Sequence, residues 1–182
     1  MFFYGTLKRG GSNHAYCRGG RMTAQARVEG LLYDLPEGYP ALVVPEASVL
    51  AVGTGDPLRD ARGAGALDLP ELPEPREPYV HGELYTFDDS EERLPSLDKL
   101  EDFSPNDPSS PYRRVLVPVR PDGGNVTLAW AYAVSGPQGT HLPAGRWPAY
   151  RRRRGGEHGG PRHLEMSKSW TPDRLRPLPP RG

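Results

Sequence analysis

The sequence predicts an α+β protein in which a mixed sheet curls around a pocket. Three observations carry that reading. Short segments dense in aromatic and β-branched residues recur along the chain, one segment has helical leucine spacing, and Gly and Pro number 22 each in 182 residues. That share of Gly and Pro is too high for one compact domain throughout, so a packed core shorter than the chain is expected, with a loop and a tail.

Phe2, Phe3 and Tyr4 are β-formers running into Gly5, which predicts a short buried strand ended by a turn. Residues 8–13 are polar and glycine-rich, hence a loop. Residues 27–35 (RVEGLLYDL) form the next strand candidate. Residues 38–41 read as a turn, followed by the apolar strand Leu42-Val43-Val44. The pattern fails at about 46–78, where Gly, Pro and Glu cluster. Apart from a strand candidate at 47–52, this stretch reads as a flexible surface insertion.

Residues 79–87 (YVHGELYTF) make the best strand, with Gly82 marking a bulge or a close backbone approach. A helix follows. Asp89 and Glu92 fit a capping box, Pro95 fits a later start, and Leu94, Leu97 and Leu100 recur at helical spacing before Pro105. Residues 112–119 and 126–134 alternate as strands around the turn Pro121-Asp122-Gly123-Gly124. The expected organisation is therefore a domain over 1–150 with the 46–78 insertion, and an Arg/Gly/Pro-rich, disordered tail over 151–182.

Lys plus Arg equals Asp plus Glu at 23 each, so no global field favours nucleic acid or a membrane surface. Cys17 is the only cysteine, which excludes an intrachain disulfide and suits a reducing compartment. No apolar run approaches bilayer length, and the opening Met-Phe-Phe-Tyr-Gly lacks the features of a signal peptide. The expectation is a cytoplasmic protein. Phosphate-loop, dinucleotide and serine-hydrolase motifs are missing from the sequence. His14 and Cys17 have ligand-like spacing but no second pair, so no metal is expected. The basic block 151–154 could contact an acidic partner, yet it lacks the interleaved aromatics of a nucleic-acid platform.

Two features point to chemistry. Tyr4-Gly5-Thr6-Leu7 sits at a strand end, where backbone N–H groups can cradle a carboxylate or an oxyanion; an ordinary turn is the alternative. Glu101 lies four residues after Leu97, beside the apolar stripe. A partly desolvated carboxylate there would have a raised pKa and suit general acid/base work; the alternative is a solvated surface glutamate. Glu83, in the 79–87 strand, is the reserve candidate, with a structural pairing preferred.

These pieces resemble the gamma-glutamylcyclotransferase-like family, which includes gamma-glutamylamine cyclotransferases. FFYGTLKRGGSNH is similar to its strand, Y-G-T-L turn and K-R-G loop. GYPALV, VHGELYTF, LPSLDKLEDF, YRRVLVPV and LAWAYAV are similar, in family order, to its Y-P segment, G-E-[VL]-Y strand, L-D-x-[LF]-E helix, Y-x-R strand and closing strand. The resemblance implies a small closed mixed β-barrel with flanking short helices. It implies cyclisation of a gamma-glutamyl amide to 5-oxoproline with release of the amine, without cofactor or metal. It also implies Glu101 as proton acceptor, Tyr4, Gly5, Thr6 and Leu7 as the gamma-glutamyl cradle, and Tyr112 and Tyr132 as pocket-lining residues. The expected partner is a small gamma-glutamyl substrate. A non-catalytic metabolite-binding module on the same fold is the alternative, and a basic-tail interaction protein a third reading.

Overall fold

The computed structural model describes residues 1–66, 78–105, 107 and 109–148. Among these, nine strands and two helices follow in the order β1 (Phe2–Phe3), β2 (Arg21–Glu29), β3 (Leu31–Asp34), β4 (Pro40–Val43), β5 (Ala51–Val52), α1 (Pro57–Ala66), β6 (Tyr79–Thr86), α2 (Ser90–Leu100), β7 (Arg113–Pro121), β8 (Thr127–Ala133) and β9 (Thr140–His141). The larger sheet runs β1-β6-β2-β7, with β5 on the same edge of β7 as β2 and β8 on the other edge; β4-β3-β9 form a second sheet. Each ladder is antiparallel. By alternation β8 runs in the same direction as β1, and the two lie side by side where the sheet curls back on itself. The Tyr4 hydroxyl donates to the Tyr132 carbonyl across that seam at 2.9 Å. The Val134 N–H reaches the Leu42 carbonyl at 2.8 Å, tying the end of β8 to β4. The result is a nearly closed, barrel-like sheet with helices beside it.

Period-two alternation sorts the strands' side chains into two cores. Phe2, Tyr4, Val115, Val117, Val119, Ala129, Ala131 and Ala133 face one cluster. Phe3, Tyr85, Tyr132 and Val134 face the other, which also holds Leu7, Cys17, Leu97, Phe103 and Tyr112. Gly82 lies where β1 crosses β6. A Cβ there would stand 2.3 Å from the Phe3 carbonyl oxygen and 2.7 Å from the Phe2 ring. Of the two expectations for Gly82, the close approach is realised. The register shift of β6 lies in its other ladder, with β2, between Met22 and Ala24 and beside Tyr85 and Leu84.

Several boundaries differ from expectation. β2 starts at Arg21, six residues early, because its ladder with β6 organises residues that carry little strand propensity of their own. Residues 57–66, expected to be irregular, form α1. Pro57 occupies the first helical position, and the Asp56 side chain accepts the Arg59 N–H at 3.0 Å as an N-cap. Residues 67–77, the rest of the expected insertion, and the 151–182 tail lie outside the described residues. α2 starts at Ser90 rather than at Pro95, and no capping box forms. Asp89 instead pairs with Arg93, and exposed Pro95 is carried inside the helix.

The C-terminus of α2 is a Schellman turn. Glu101 is the C-cap residue, Asp102 adopts a left-handed conformation (φ 52°), and the Phe103 N–H donates to the Asp98 carbonyl at 2.8 Å. The Asp102 N–H points back to the Lys99 carbonyl, and Phe103 packs in the same cluster as Leu97. Glycine normally fills the left-handed position.

Gly82→Ala should lower stability by about 2 kcal/mol or more, because the new methyl collides with backbone rather than a movable side chain; the urea midpoint measures this. Asp102→Gly, at an exposed site, should raise stability by about 1 kcal/mol; an unchanged or lower melting temperature would show that the aspartate side chain compensates its strain.

Candidate active site

Glu101 stands at the end of α2, half-buried, next to the apolar cluster built from Leu7, Leu97, Tyr112, Tyr132 and Phe103. Burial alone pushes its carboxyl up to about 7. Its charge reaches the hydroxyls of Tyr4, Tyr112 and Tyr132. Each phenol is held well above its ordinary value, first by burial and further by this carboxylate. Tyr39 is raised by burial, by Glu37 and then by Glu101.

The 4–7 turn joins the two clusters, with Tyr4 in the first and Leu7 in the second. Tyr4 is a barrel residue and Leu7 a buried one. Between them Gly5 lies so close to Pro40 that a Cβ would come within 2.7 Å of its Cγ. The loop holds this turn by its carbonyls. Asn13 donates its N–H to the Thr6 carbonyl at 3.0 Å and its side-chain amide to Thr6 Oγ1 at 3.1 Å. His14 Nδ1 lies 3.0 Å and Cys17 Sγ 3.4 Å from the Leu7 carbonyl. Among the described residues, the N–H groups of Gly5, Thr6 and Leu7 donate to no protein acceptor. A turn with its carbonyls satisfied and three successive N–H groups free suits an anionic or carbonyl oxygen. His14 and Cys17, the pair with ligand-like spacing, are both spent on Leu7, and burial pushes the Cys17 thiol up to about 11.

A buried cation joins the two parts. Arg114, on β7, has no solvent exposure. Its Nη2 donates to Asp60 of α1 at 2.8 Å and to the Thr54 carbonyl at 3.2 Å, and its Nε stands 3.0 Å from Asp98 of α2. The guanidinium lies over the rings of Phe103 and Trp130. Asp98 accepts the Tyr132 hydroxyl at 2.7 Å, and Tyr132 in turn accepts Tyr4 through its carbonyl. Tyr112 donates its hydroxyl to the Pro40 carbonyl at 3.1 Å. Tyr4, Tyr112 and Tyr132 therefore bring their rings to the site while their hydroxyls bond to the protein.

Of the residues expected at a site, Leu7, Tyr112 and Tyr132 share one apolar cluster, against which Leu100, the neighbour of Glu101, packs; Tyr4 belongs to the other cluster and reaches Tyr132 through its hydroxyl, and Gly5 lies beside Pro40. Glu83 is buried elsewhere. It accepts the Arg9 N–H at 2.9 Å and the Tyr85 hydroxyl at 3.3 Å, a structural pairing with the end of a loop. Sequence reasoning missed Arg114, Asp98 and Asp60. For Arg114 a signal existed: an arginine in the middle of an alternating, otherwise apolar strand. For Asp98 and Asp60 there was none, since their partner lies on another element.

The family profile described as gamma-glutamyl cyclotransferase, AIG2-like, matches residues 1–71 and 55–149. A curated relative, the gamma-L-glutamyl-butirosin B gamma-glutamyl cyclotransferase of Niallia circulans, is 27% identical over 153 residues, covering 83% of this chain and 76% of that protein. Among solved structures, YkqA from Bacillus subtilis superposes with a TM-score of 0.51 at 22% identity, a likeness of fold; it covers 81% of this chain, which spans only 38% of YkqA. PH0828 from Pyrococcus horikoshii gives a TM-score of 0.46 at 20% identity over 80% of this chain and 86% of its own. With matches that together run nearly the length of the described barrel, this chain belongs to the AIG2-like gamma-glutamyl cyclotransferase family.

Proposed function

We propose that the chain closes a gamma-glutamyl amide into 5-oxoproline and releases the amine, with Glu101 carrying the proton. The observation that bears most weight is the carboxyl raised to about 7 by burial alone; the 4–7 turn adds three N–H groups that bond to no described acceptor. In this reaction the substrate's α-amine attacks the side-chain amide carbon. A C–N bond forms to close a five-membered ring, and the C–N bond to the leaving amine breaks. The α-amine is a cation at neutral pH and cannot attack until a base removes its proton. Ionised Glu101 takes that proton and returns it to the departing nitrogen. A carboxyl near 7 is matched to both halves of the transfer: at an ordinary carboxylate value it would be a weak base, and well above 7 it would rarely be ionised.

The turn contributes orientation. Ring closure needs the glutamyl chain folded with its amine over its own amide, and a well-oriented intramolecular reaction can gain about 7–11 kcal/mol. The N–H groups of Gly5, Thr6 and Leu7 offer a seat for an oxygen anion. Two such anions belong to this reaction: the oxyanion that develops at the attacked carbonyl and the α-carboxylate of the substrate. Gly5 is required because of its contact with Pro40.

Glu101→Gln should lower kcat by on the order of a thousandfold. In the parent enzyme kcat/KM should rise about tenfold per pH unit up to about 7 and level off above it, since only the carboxylate accepts a proton. Stability should run the opposite way. Folding raises the Glu101 pKa above its unfolded value, so the folded state loses stability as pH rises from about 4.5 through about 7. Glu101→Gln should therefore melt higher than the parent at pH 8, by on the order of 5 °C, with the gap closing at pH 4. A Gln variant that turns over normally would eliminate the assignment. Gly5→Ala should cost at least about tenfold in kcat/KM by pushing the turn off Pro40; a loss confined to kcat assigns the N–H groups to the oxyanion, and one confined to KM to the α-carboxylate.

A further inference from the structure

Glu101 is held by shape alone. Burial is the only influence on its carboxyl, and no described residue donates a hydrogen bond to it. Its position is inherited from the end of α2, and that end is fixed three residues earlier. Asp98 and Glu101 are i and i+3 neighbours on the helix surface. The Asp98 carboxylate accepts the Tyr132 hydroxyl at 2.7 Å and forms an ion pair with Arg114, whose Nε stands 3.0 Å away, while its backbone carbonyl takes the Phe103 N–H at 2.8 Å and so closes the turn around Glu101. From Tyr132 the path continues through its carbonyl to the Tyr4 hydroxyl at 2.9 Å, and Tyr4 opens directly into Gly5.

We propose that Asp98 and Tyr132 are positioning residues that set the distance between Glu101 and the 4–7 turn. The inference rests on the reading of Glu101 as proton carrier. A purely structural ion pair would not need this branch. Arg114 already has Asp60 at 2.8 Å and the Thr54 carbonyl at 3.2 Å. The Tyr132 ring would stay in its cluster, against Phe103, without its hydroxyl. What the hydroxyl adds is a link from helix end to closing strand, and the same strand residue holds Tyr4. Both ends of the proposed proton path are thus tied to one residue. Substrates meet Tyr132 only through what it holds, since it is 3% exposed and its hydroxyl bonds to Asp98.

Tyr132→Phe removes one oxygen and is the first test, with Asp98→Asn as a second variant that keeps the shape and an acceptor. Both are assayed for 5-oxoproline release from a gamma-glutamyl amide across pH, alongside thermal melts. For Tyr132→Phe, kcat should fall about tenfold or more with KM within about twofold. The pH midpoint near 7 should drop by half a unit or more, as a loosened helix end lets water reach Glu101. Asp98→Asn should move both readouts in the same direction. A folded Tyr132→Phe enzyme with parental kcat and midpoint overturns the inference. So does a loss of rate that tracks the fraction unfolded, with the midpoint unmoved. If Tyr132→Phe does not fold, an unmoved midpoint in Asp98→Asn overturns it alone. Normal turnover in Glu101→Gln is a separate result, which removes the acid/base reading and this inference with it.

Discussion

A single buried guanidinium organises the helical side of this barrel. Removing an arginine from water costs several kcal/mol, and two carboxylates and two aromatic faces stand around Arg114 to offset that cost. Asp60 belongs to α1, Asp98 to α2 and Arg114 to β7, so one charge fastens both helices to the sheet. The helices need it. α2 buries only Leu94 and Leu97 fully, too small an apolar stripe to fix an eleven-residue helix by itself. Breaking such a cluster by removing one member leaves a charge stranded in a dry interior, which typically costs about 3–5 kcal/mol. The polar cluster supplies direction where the leucines supply adhesion.

Direction matters because of where α2 ends. Glu101 follows its last residue, and burial pushes that carboxyl up to about 7. Burial raises Asp98 as well, but the Tyr132 hydroxyl and Arg114 pull it back down, and burial is the one influence on Glu101. Three residues of helix separate a carboxylate that is stabilised by a cation from one that is not. The fold thus gives two neighbouring acids different surroundings, one paired with a cation and a phenol and one raised by burial alone.

Much of this was legible in the sequence. Alternation located β6, β7 and β8, and the aromatic run into glycine located β1 and its turn. Glu101 was singled out because helical spacing put it beside Leu97, a local relation that a sequence displays. The failures are non-local. β2 begins where propensity is weak because β6 supplies the ladder. α1 was hidden by glycines and prolines around it, although Asp56-Pro57 carried a cap and a first-turn proline. Asp98 and Asp60 look like any surface acids until a strand residue 16 and 54 positions further along the chain brings in the arginine between them. Composition cannot reveal that, because the charge balance of the chain hides a buried cluster as easily as a solvated one.

The seam between β1 and β8 has a bearing on how the protein is made. Its two sides lie 128 residues apart along the chain, and a phenol rather than a ladder joins them. On a ribosome the first strand must wait, unpaired on that flank, until nearly the whole barrel has emerged. Closure is then the final act of assembly. A polypeptide released before Tyr132 would carry residues 4–7 and Glu101 without the bond that joins Tyr4 to the far side of the seam.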